Sequence, residues 1–268
     1  MSDEQIDDRY RAAIDIARRA GVVARSYFDD FHALTVDVKG HQDFVSEADR
    51  NVEVFIRAAL SEAFPGDGIV GEEDAPVAGQ SGFTWVIDPI DGTTNFIHGI
   101  PAWTVVLACV QGADTVIGVV HDPVHGETHH AKSGGGAFLN DRPIRCLGGR
   151  SLKQGSLGIG FSGRTRAGGV KRLVSEVVDA GGVFYRNGSG ALSLAYVASG
   201  RLLGYVEEHM NAWDCLAGQL IVAEAGGVVE DQDAQAMIAD GGRVIVGTAE
   251  TFSDILALAE TAYADPSK

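Results

Sequence analysis

The order of helical and extended patterns along the chain predicts a layered α/β or α+β fold. Amphipathic helical patterns dominate the N-terminal part, strand-like runs follow them, and the second half alternates the two. Of the 268 residues, 45% are hydrophobic and 22% are charged, which is typical of a globular protein with a large core. No linker-like stretch, repeat or low-complexity tract divides the chain. We therefore expect one domain over residues 1–268, built from two packed halves at about 1–150 and 151–268.

Two amphipathic helices open the first half. Apolar residues recur at helical spacing over 6–27 and again over 52–64, where Pro65-Gly66 ends the second helix. The segment 46–49 fits the capping-box pattern at the start of that second helix. Residues 35–39, between the two helices, are compatible with a short strand.

Extended runs fill the middle of the chain, and the two patterns alternate after it. A predicted strand at 84–88 precedes a hairpin, 104–110 and 116–120, and the glycines of 134–136 separate further strands within 129–140. In chain order, the second half then predicts a strand at 157–160, a helix at 170–178, a strand at 183–186, a helix at 191–198, a strand at 202–207, a helix at 213–225, strands at 228–230 and 244–247, and a helix at 250–263.

Charge, hydropathy and cysteine content restrict the functional classes. With 37 acidic and 21 basic residues the formal net charge is −16, which opposes binding to a phosphate backbone, so we expect no nucleic-acid partner. Cys109, Cys146 and Cys215 lie in unrelated contexts, which argues against a disulfide framework. No apolar stretch reaches the ~18 residues of a membrane span, and the charged N-terminus lacks a signal-peptide pattern. We therefore expect no membrane association and a cytoplasmic location.

The segment Asp88-Pro89-Ile90-Asp91-Gly92-Thr93-Thr94-Asn95-Phe96 is the most informative one for chemistry. A hydrophobic strand runs into Asp88, Pro89 is expected to turn the chain, and Asp91 follows. Gly92 supplies permissive backbone, and the threonine hydroxyls after it can cap a helix. This order gathers two carboxylates and free N–H groups, where cations and a phosphate can both bind. A surface turn with a capped helix is the alternative interpretation of this segment taken alone.

Other acidic residues are equally ambiguous when each is taken alone. Glu72-Glu73 follows a short apolar run, as Asp88 does, or is a pair of solvated loop acids. Asp214 begins an apolar helix and Asp49 ends a capping box, so helix capping explains both of them as well. The complete set favours chemistry, because two or three Mg²⁺ ions need several carboxylates gathered together.

Together these segments resemble the inositol monophosphatase family of Mg²⁺-dependent, lithium-sensitive phosphatases, and they match its motifs in order along nearly the whole chain. The matching segments are Lys39 with Asp43-Phe44-Val45-Ser46-Glu47-Ala48-Asp49, Gly71-Glu72-Glu73, Trp85-Val86-Ile87 running into the Asp88 segment, Ala212-Trp213-Asp214 and Ala223-Glu224-Ala225-Gly226-Gly227. Ser46 stands where the family usually has threonine, and it retains the hydroxyl. The resemblance implies an α+β fold, specifically a layered α-β-α-β-α sandwich, and a homodimer.

The resemblance also implies roles for individual residues. Two to three Mg²⁺ ions would be held by Glu72, Asp88, the Ile90 carbonyl, Asp91 and Asp214. Thr93, hydrogen-bonded to Asp49, and Glu72 would position and deprotonate a water for in-line attack on phosphorus, with no covalent phosphoenzyme.

The substrate side is implied by the same resemblance. The residues implied to contact substrate are Asp91, the backbone N–H groups of Gly92 and Thr93, Ser189, Gly190 and Glu207. Gly190 replaces the usual alanine and is expected to widen the pocket slightly, and Ser162 is expected near its border. For Glu207, a solvated acid at a strand end is the alternative interpretation.

The resemblance implies hydrolysis of a small phosphomonoester, with inositol 1-phosphate as the expected substrate. Histidinol phosphate and fructose 1,6-bisphosphate are alternatives within the family, and a bisphosphate would need basic residues, for which the candidates are Arg164, Arg166, Lys171 and Arg186. A non-catalytic relative that binds a partner protein is the alternative from another class. A haloacid-dehalogenase-type phosphatase fits poorly, because its two aspartates are separated by one residue and Asp88 and Asp91 are separated by two.

Overall fold

The computed structural model describes residues 3–40, 43–163, 165 and 167–264. Its helices are α1 (Asp3–Phe28), α2 (Glu47–Ala63), α3 (Thr93–Ile97), α4 (Ala167–Asp179), α5 (Gly190–Ala198), α6 (Ala212–Glu224), α7 (Ala234–Asp240) and α8 (Phe252–Tyr263). Its strands are β1 (Val36–Gly40), β2 (Asp43–Ser46), β3 (Gly68–Gly71), β4 (Phe83–Asp91), β5 (Thr104–Gln111), β6 (Asp114–Asp122), β7 (Glu127–Lys132), β8 (Ala137–Leu139), β9 (Arg142–Pro143), β10 (Ser156–Ile159), β11 (Val183–Tyr185), β12 (Gly204–Met210), β13 (Val228–Val229) and β14 (Gly242–Gly247).

The first half forms a seven-stranded sheet with a helical layer on one face. The strand order is β3-β4-β5-β6-β7-β8-β9, and β3–β4 is the parallel pair in an otherwise antiparallel sheet. The apolar faces of α1 and α2 pack on this sheet through buried residues such as Ala17 and Val52. Because side chains alternate along a strand, Leu107 joins that helical layer while Val106 faces the opposite side.

The second half supplies the remaining layers. α5 and α6 lie between the seven-stranded sheet and a five-stranded sheet of order β11-β10-β12-β14-β13, and one apolar core joins Val106, Leu194 and Val246 from these layers. α6 is apolar on most sides because it contacts both sheets. α4 and α8 cover the outer face of the five-stranded sheet through residues such as Leu173 and Ile255. The layers therefore run α-β-α-β-α, as expected.

Several elements differ from the sequence-based expectation. β4 does not end at Asp88: it continues to Asp91 across a register shift, so Pro89 lies in an irregular part of the ladder, where a missing N–H is tolerated. The expectation that Pro89 turns the chain was wrong. β2 and α7 were not predicted, because runs of four and seven residues are too short to show a clear hydrophobic period.

Two further expectations concern the whole chain. Among the described residues, the helices include none that is both long enough and apolar enough to cross a bilayer. The three cysteines are free thiols, and Cys109 and Cys215 are buried. That residues 1–268 form one domain stays a prediction.

Candidate active site

The acidic residues meet at one end of two neighbouring strands. β3 and β4 run parallel with Gly71 opposite Ile87, so Glu72, the first residue after β3, lies beside Asp88 within β4. Asp91 ends β4, and Asp214 enters from the first turn of α6. One carboxylate oxygen from each of Asp88, Asp91 and Asp214 lies within 4.8 Å of the other two. Residues far apart in the chain are therefore close enough to share a cation.

The electrostatics of this cluster favour a bound cation. Burial raises the pKa of Asp88 well above its usual value, and the negative charges of Glu72, Asp91, Asp214 and Asp49 raise it further. Burial, followed by the charge of Asp214, raises the pKa of Asp91 to about 7. Buried carboxylates that repel each other are costly unless a proton or a cation joins them. The oxygen-only set of charged ligands fits a hard divalent ion such as Mg²⁺.

Asp91 is also tied to the start of α5. The Ser189 hydroxyl and the Ala191 N–H (2.8 Å) donate to one oxygen of its carboxylate, and the Gly190 N–H donates to the other at 3.3 Å. These donors counteract part of the rise in the Asp91 pKa. Ser189 lines the cleft, but its hydroxyl proton is used by Asp91 and the residue is only 2% exposed, so its contact with substrate stays a prediction.

Thr93 and Asp49 form a second polar connection at the cluster. The Thr93 hydroxyl lies 3.2 Å from both a carboxylate oxygen of Asp49 and the Ile90 carbonyl, so its single proton serves one acceptor at a time. Threonine does not cap α3, contrary to the expectation: the N-cap is Gly92 in a left-handed conformation with φ of 103°. Asp49 combines this contact with the capping box that it forms with Ser46.

Asp49 and Asp214 each lie in the first turn of a helix and also belong to the acidic cluster. Asp49 is buried in the first turn of α2, and burial raises its pKa. Asp214 accepts a hydrogen bond from the Asn211 N–H at 3.2 Å, as a residue in the first turn of a helix does, and still belongs to the three-carboxylate group. Glu72 is half-buried beside Asp88, so it is not a fully solvated loop acid.

A cleft of about 830 Å³ opens beside the cluster, and Glu72, Asp91 and Asp214 line it. Glu207 lies in its wall within β12, is 8% exposed and accepts a hydrogen bond from the Tyr205 hydroxyl at 2.6 Å. The alternative of a solvated acid at a strand end was therefore wrong.

The rest of the cleft wall comes from both halves of the chain. Gly92, Thr93, Ser162 and Gly190 line it. A Cβ atom on Gly190 would lie 2.5 Å from the terminal methyl of Met210. Met210 therefore occupies the space that the missing side chain leaves, and the expected widening of the pocket was wrong.

Of the four basic candidates for a second phosphate, Arg186 lines the cleft, and it donates to the Phe161 carbonyl at 3.1 Å. Lys171 is exposed on α4 and is not part of the cleft wall. Arg164 and Arg166 lie outside the described residues.

Two side chains of α2 that the sequence analysis did not single out also belong to this region. The fully buried carboxylate of Glu53 accepts the backbone N–H groups of Glu73 (2.9 Å) and Asp74 (3.0 Å), directly after Glu72. Arg57 forms an ion pair with Glu53 at 2.7 Å. A signal for them exists in hindsight, since Asp49, Glu53 and Arg57 recur every four residues and therefore share one helix face.

Known proteins resemble this chain along nearly its whole length. The "Inositol-1-monophosphatase" of Mesorhizobium japonicum is 41% identical over 238 residues, which are 87% of this chain and 89% of that protein. The "Nus factor SuhB" of Pseudomonas aeruginosa is 37% identical over 251 residues, 91% and 93% of the two chains. The crystal structure of extragenic suppressor protein suhB from Bartonella henselae, 33% identical, superposes with a TM-score of 0.87 over 95% of this chain and 98% of that one.

A family model described as "Inositol monophosphatase family" matches residues 5–263. This match and the identity to the relatives agree with the fold. The chain belongs to the inositol monophosphatase family.

Proposed function

We propose that this protein is a Mg²⁺-dependent phosphomonoesterase that acts on a small cyclitol or sugar phosphate, with inositol 1-phosphate as the first candidate. The observation that carries the proposal is the approach of Asp88, Asp91 and Asp214 to within 4.8 Å of one another at the edge of the cleft. Three mutually repelling carboxylates destabilise the fold unless a proton or a cation joins them, and a site that binds a cation gives a reason to keep them.

The proposed ligands are Glu72, Asp88, the Ile90 carbonyl, Asp91 and Asp214. Bound Mg²⁺ would supply positive charge that offsets the phosphoryl oxygens and lowers the pKa of water. Asp88 is held for this role by the Ile90 N–H, which donates to one carboxylate oxygen at 2.9 Å and leaves the other oxygen for a cation. Asp91 is held by α5, which fixes the carboxylate against the second half of the chain.

Thr93, Asp49 and Glu72 are the proposed groups that prepare water for attack. When the Thr93 hydroxyl donates to Asp49, the lone pairs of its oxygen are available to accept a hydrogen bond from a water. Glu72 lies at the cleft and is the proposed acceptor of the water proton. Asp49 is buried and does not line the cleft, so its proposed part is to orient Thr93.

The leaving group is proposed to face Glu207 and the start of α5. The acceptor oxygens of Glu207 suit the hydroxyl groups of a polyol, and Tyr205 holds the carboxylate in place from behind. The N–H groups of Gly92 and Thr93, at a glycine-permitted turn, are the proposed contacts of the phosphate.

Phosphate release from a panel of substrates tests the proposal. The panel contains inositol 1-phosphate, histidinol phosphate, fructose 1,6-bisphosphate and p-nitrophenyl phosphate, each with Mg²⁺ and with chelator. We expect turnover that requires Mg²⁺ and is fastest with inositol 1-phosphate. Preference for the bisphosphate would redirect the substrate assignment to Arg186, and no Mg²⁺-dependent release from any compound would contradict the proposal.

A role in binding a partner protein is the alternative from another class, and relatives called Nus factor SuhB motivate it. The complete acidic set favours the enzymatic proposal, because a protein that only binds partners has no need for buried, like-charged residues. The homodimer and the lithium sensitivity implied by the family belong to the same proposal. Sedimentation analysis tests the first, and loss of turnover in millimolar Li⁺ tests the second.

A further inference from the structure

The loop that carries Glu72 is fastened to α2. After β3 the chain leaves the sheet at Glu72 and returns at Val77, which pairs with Ile69. Between these points the Glu53 carboxylate accepts two consecutive N–H groups, from Glu73 and Asp74. The backbone of the loop is therefore held directly beside Glu72.

Arg57 completes this attachment from the same helix. Its Nε donates to Glu53 at 2.7 Å, and its two terminal nitrogens donate to the carbonyls of Asp74 (2.9 Å) and Ala75 (3.2 Å). Glu53 thus holds the N–H groups of the loop and Arg57 holds its carbonyls. A planar guanidinium can make these three contacts together, whereas a lysine ammonium on a flexible chain is not preorganised to do so.

The approach of the loop to this pair is close. A Cβ atom on Gly71 would lie 2.4 Å from a carboxylate oxygen of Glu53 and 2.8 Å from Arg57, so any larger residue would push the loop away. Asp49, one turn before Glu53 on α2, holds the Thr93 hydroxyl. A single helix face therefore contacts both parts of the proposed water-activating apparatus.

We propose that Glu53 and Arg57 are positioning residues that set the direction of Glu72 toward Asp88 and the cation. The inference rests on the proposed function for the role of Glu72. Neither side chain touches the cleft: both act through the backbone at positions 73–75.

The test is a double-mutant cycle between Arg57→Met and Glu72→Gln. The readouts are Mn²⁺ binding to chelator-stripped protein, measured by calorimetry, and the Mg²⁺ dependence of kcat and KM. If Arg57 acts through Glu72, Arg57→Met weakens Mn²⁺ binding about 10- to 100-fold and lowers kcat, with little change in KM at saturating metal. In the Glu72→Gln background the same substitution then adds little.

Matched variants separate positioning from general damage to the helix. Arg50→Met removes an ion pair with Asp37 from the same helix, where both side chains are about half exposed, and is expected to leave Mn²⁺ binding unchanged. Arg57→Lys is expected to recover part of the loss, because it keeps the charge and one donor. Glu53→Gln places an amide NH₂ group opposite N–H donors and is expected to behave like Arg57→Met. Urea unfolding shows which variants are folded.

The outcomes distinguish this inference from the proposed function. Additive effects in the cycle, or an Arg57→Met variant that binds Mn²⁺ as Arg50→Met does, would overturn the positioning role even if the wild type is an active phosphatase. The opposite result is also possible: the two substitutions are coupled in Mn²⁺ binding, but the wild type hydrolyses no phosphomonoester. That result would support the positioning role and contradict the proposed function.

Discussion

Two buried carboxylates beside the same strand, β4, have opposite surroundings. Asp67 accepts both Nε and Nη2 of Arg9 at 2.8 and 2.7 Å, the Ser81 hydroxyl at 2.6 Å and the Trp85 indole N–H at 2.9 Å. Its charge and its lone pairs are satisfied within the fold. Asp88, three residues after Trp85, has the Ile90 N–H as a donor, and its strongest charged neighbours are all acidic.

The difference shows which buried charges serve the fold and which are kept for a ligand. A carboxylate paired with arginine and fully hydrogen-bonded is costly to disturb, because its removal leaves an unpaired buried cation. A carboxylate among other carboxylates is unfavourable as it stands and becomes favourable when a cation binds. Glu53, paired with Arg57, belongs to the first class, although it lies next to Glu72 in the second.

The largest expected effect comes from removing the charge of Asp88, the carboxylate that lies among other acids. Asp88→Asn is expected to lower kcat by about 1,000-fold or more. The variant loses several kcal/mol of cation-dependent stabilisation of the transition state, and each loss of about 1.36 kcal/mol lowers the rate tenfold. Without metal, the same variant is expected to resist urea at least as well as the wild type, since one repelling charge is gone. Full activity of folded Asp88→Asn in Mg²⁺ would show that the cluster is not the metal site.

The corresponding experiment removes the charge of Asp67, the carboxylate that is paired with Arg9. Asp67→Asn is expected to destabilise the fold by about 3–5 kcal/mol, because the Arg9 guanidinium is left buried without a counter-charge. The urea midpoint should fall, while kcat of the folded protein stays near that of the wild type. If Asp67→Asn instead reduced turnover as Asp88→Asn does, the division between the two classes would be wrong.

Much of this division was accessible from the sequence, and part of it was not. Apolar runs before Glu72 and Asp88 predict acids at strand ends. Glu72 does follow the end of β3, whereas Asp88 lies within β4, and the parallel pairing of the two strands brings the residues side by side. The capping patterns at Asp49 and Asp214 were ambiguous in sequence because capping and metal binding use the same residue type, and both positions combine the two features.

The partners of each carboxylate could not be predicted, because they come from distant segments. The donors to Asp91 lie about a hundred residues away at the start of α5, and the loop beside Glu72 is held by α2. Hydrophobic periodicity assigns a residue to a face of an element but does not tell which polar group of another element faces it. For the same reason Met210, which fills the space beside Gly190, was not expected.

Addition of metal is the next prediction in size and converts the unfavourable cluster into a source of stability. Mg²⁺ at about 100 times its dissociation constant is expected to stabilise the wild-type fold by about 2.7 kcal/mol, and chelator should reverse this. Thermal unfolding with and without Mg²⁺ measures the shift in Tm. The same ion should not shift Asp88→Asn to a comparable degree, whereas Asp67→Asn should keep its full response.

The last prediction, with at most about 1.4 kcal/mol per pH unit for each residue, concerns buried histidines that stay neutral in the fold near pH 7. Burial lowers the pKa of His129, and that of His121, from 6.5 to about 4; for His129 the nearby Glu127 acts against the shift, while Arg201 and His130 add to it. Among the described residues, neither ring nitrogen of His129 has a hydrogen-bond partner. In the unfolded chain His129 therefore binds a proton below about pH 6.5, whereas in the folded chain it stays neutral down to about pH 4.

The contribution of these histidines to stability is accordingly expected to fall as the pH drops from about 6.5 to 4, by up to about 1.4 kcal/mol per pH unit for each histidine. The acidic cluster contributes with the opposite sign in metal-free protein, because the raised pKa of Asp91, about 7, favours the protonated folded state in the same range. Comparison of His129→Phe with the wild type by urea unfolding between pH 4.5 and 7 cancels the contribution of the cluster. The difference in slope isolates His129. If His129→Phe has the same slope as the wild type, His129 takes up a proton in the folded chain as readily as in the unfolded chain. A buried charge would then exist that is neither a carboxylate nor the partner of one.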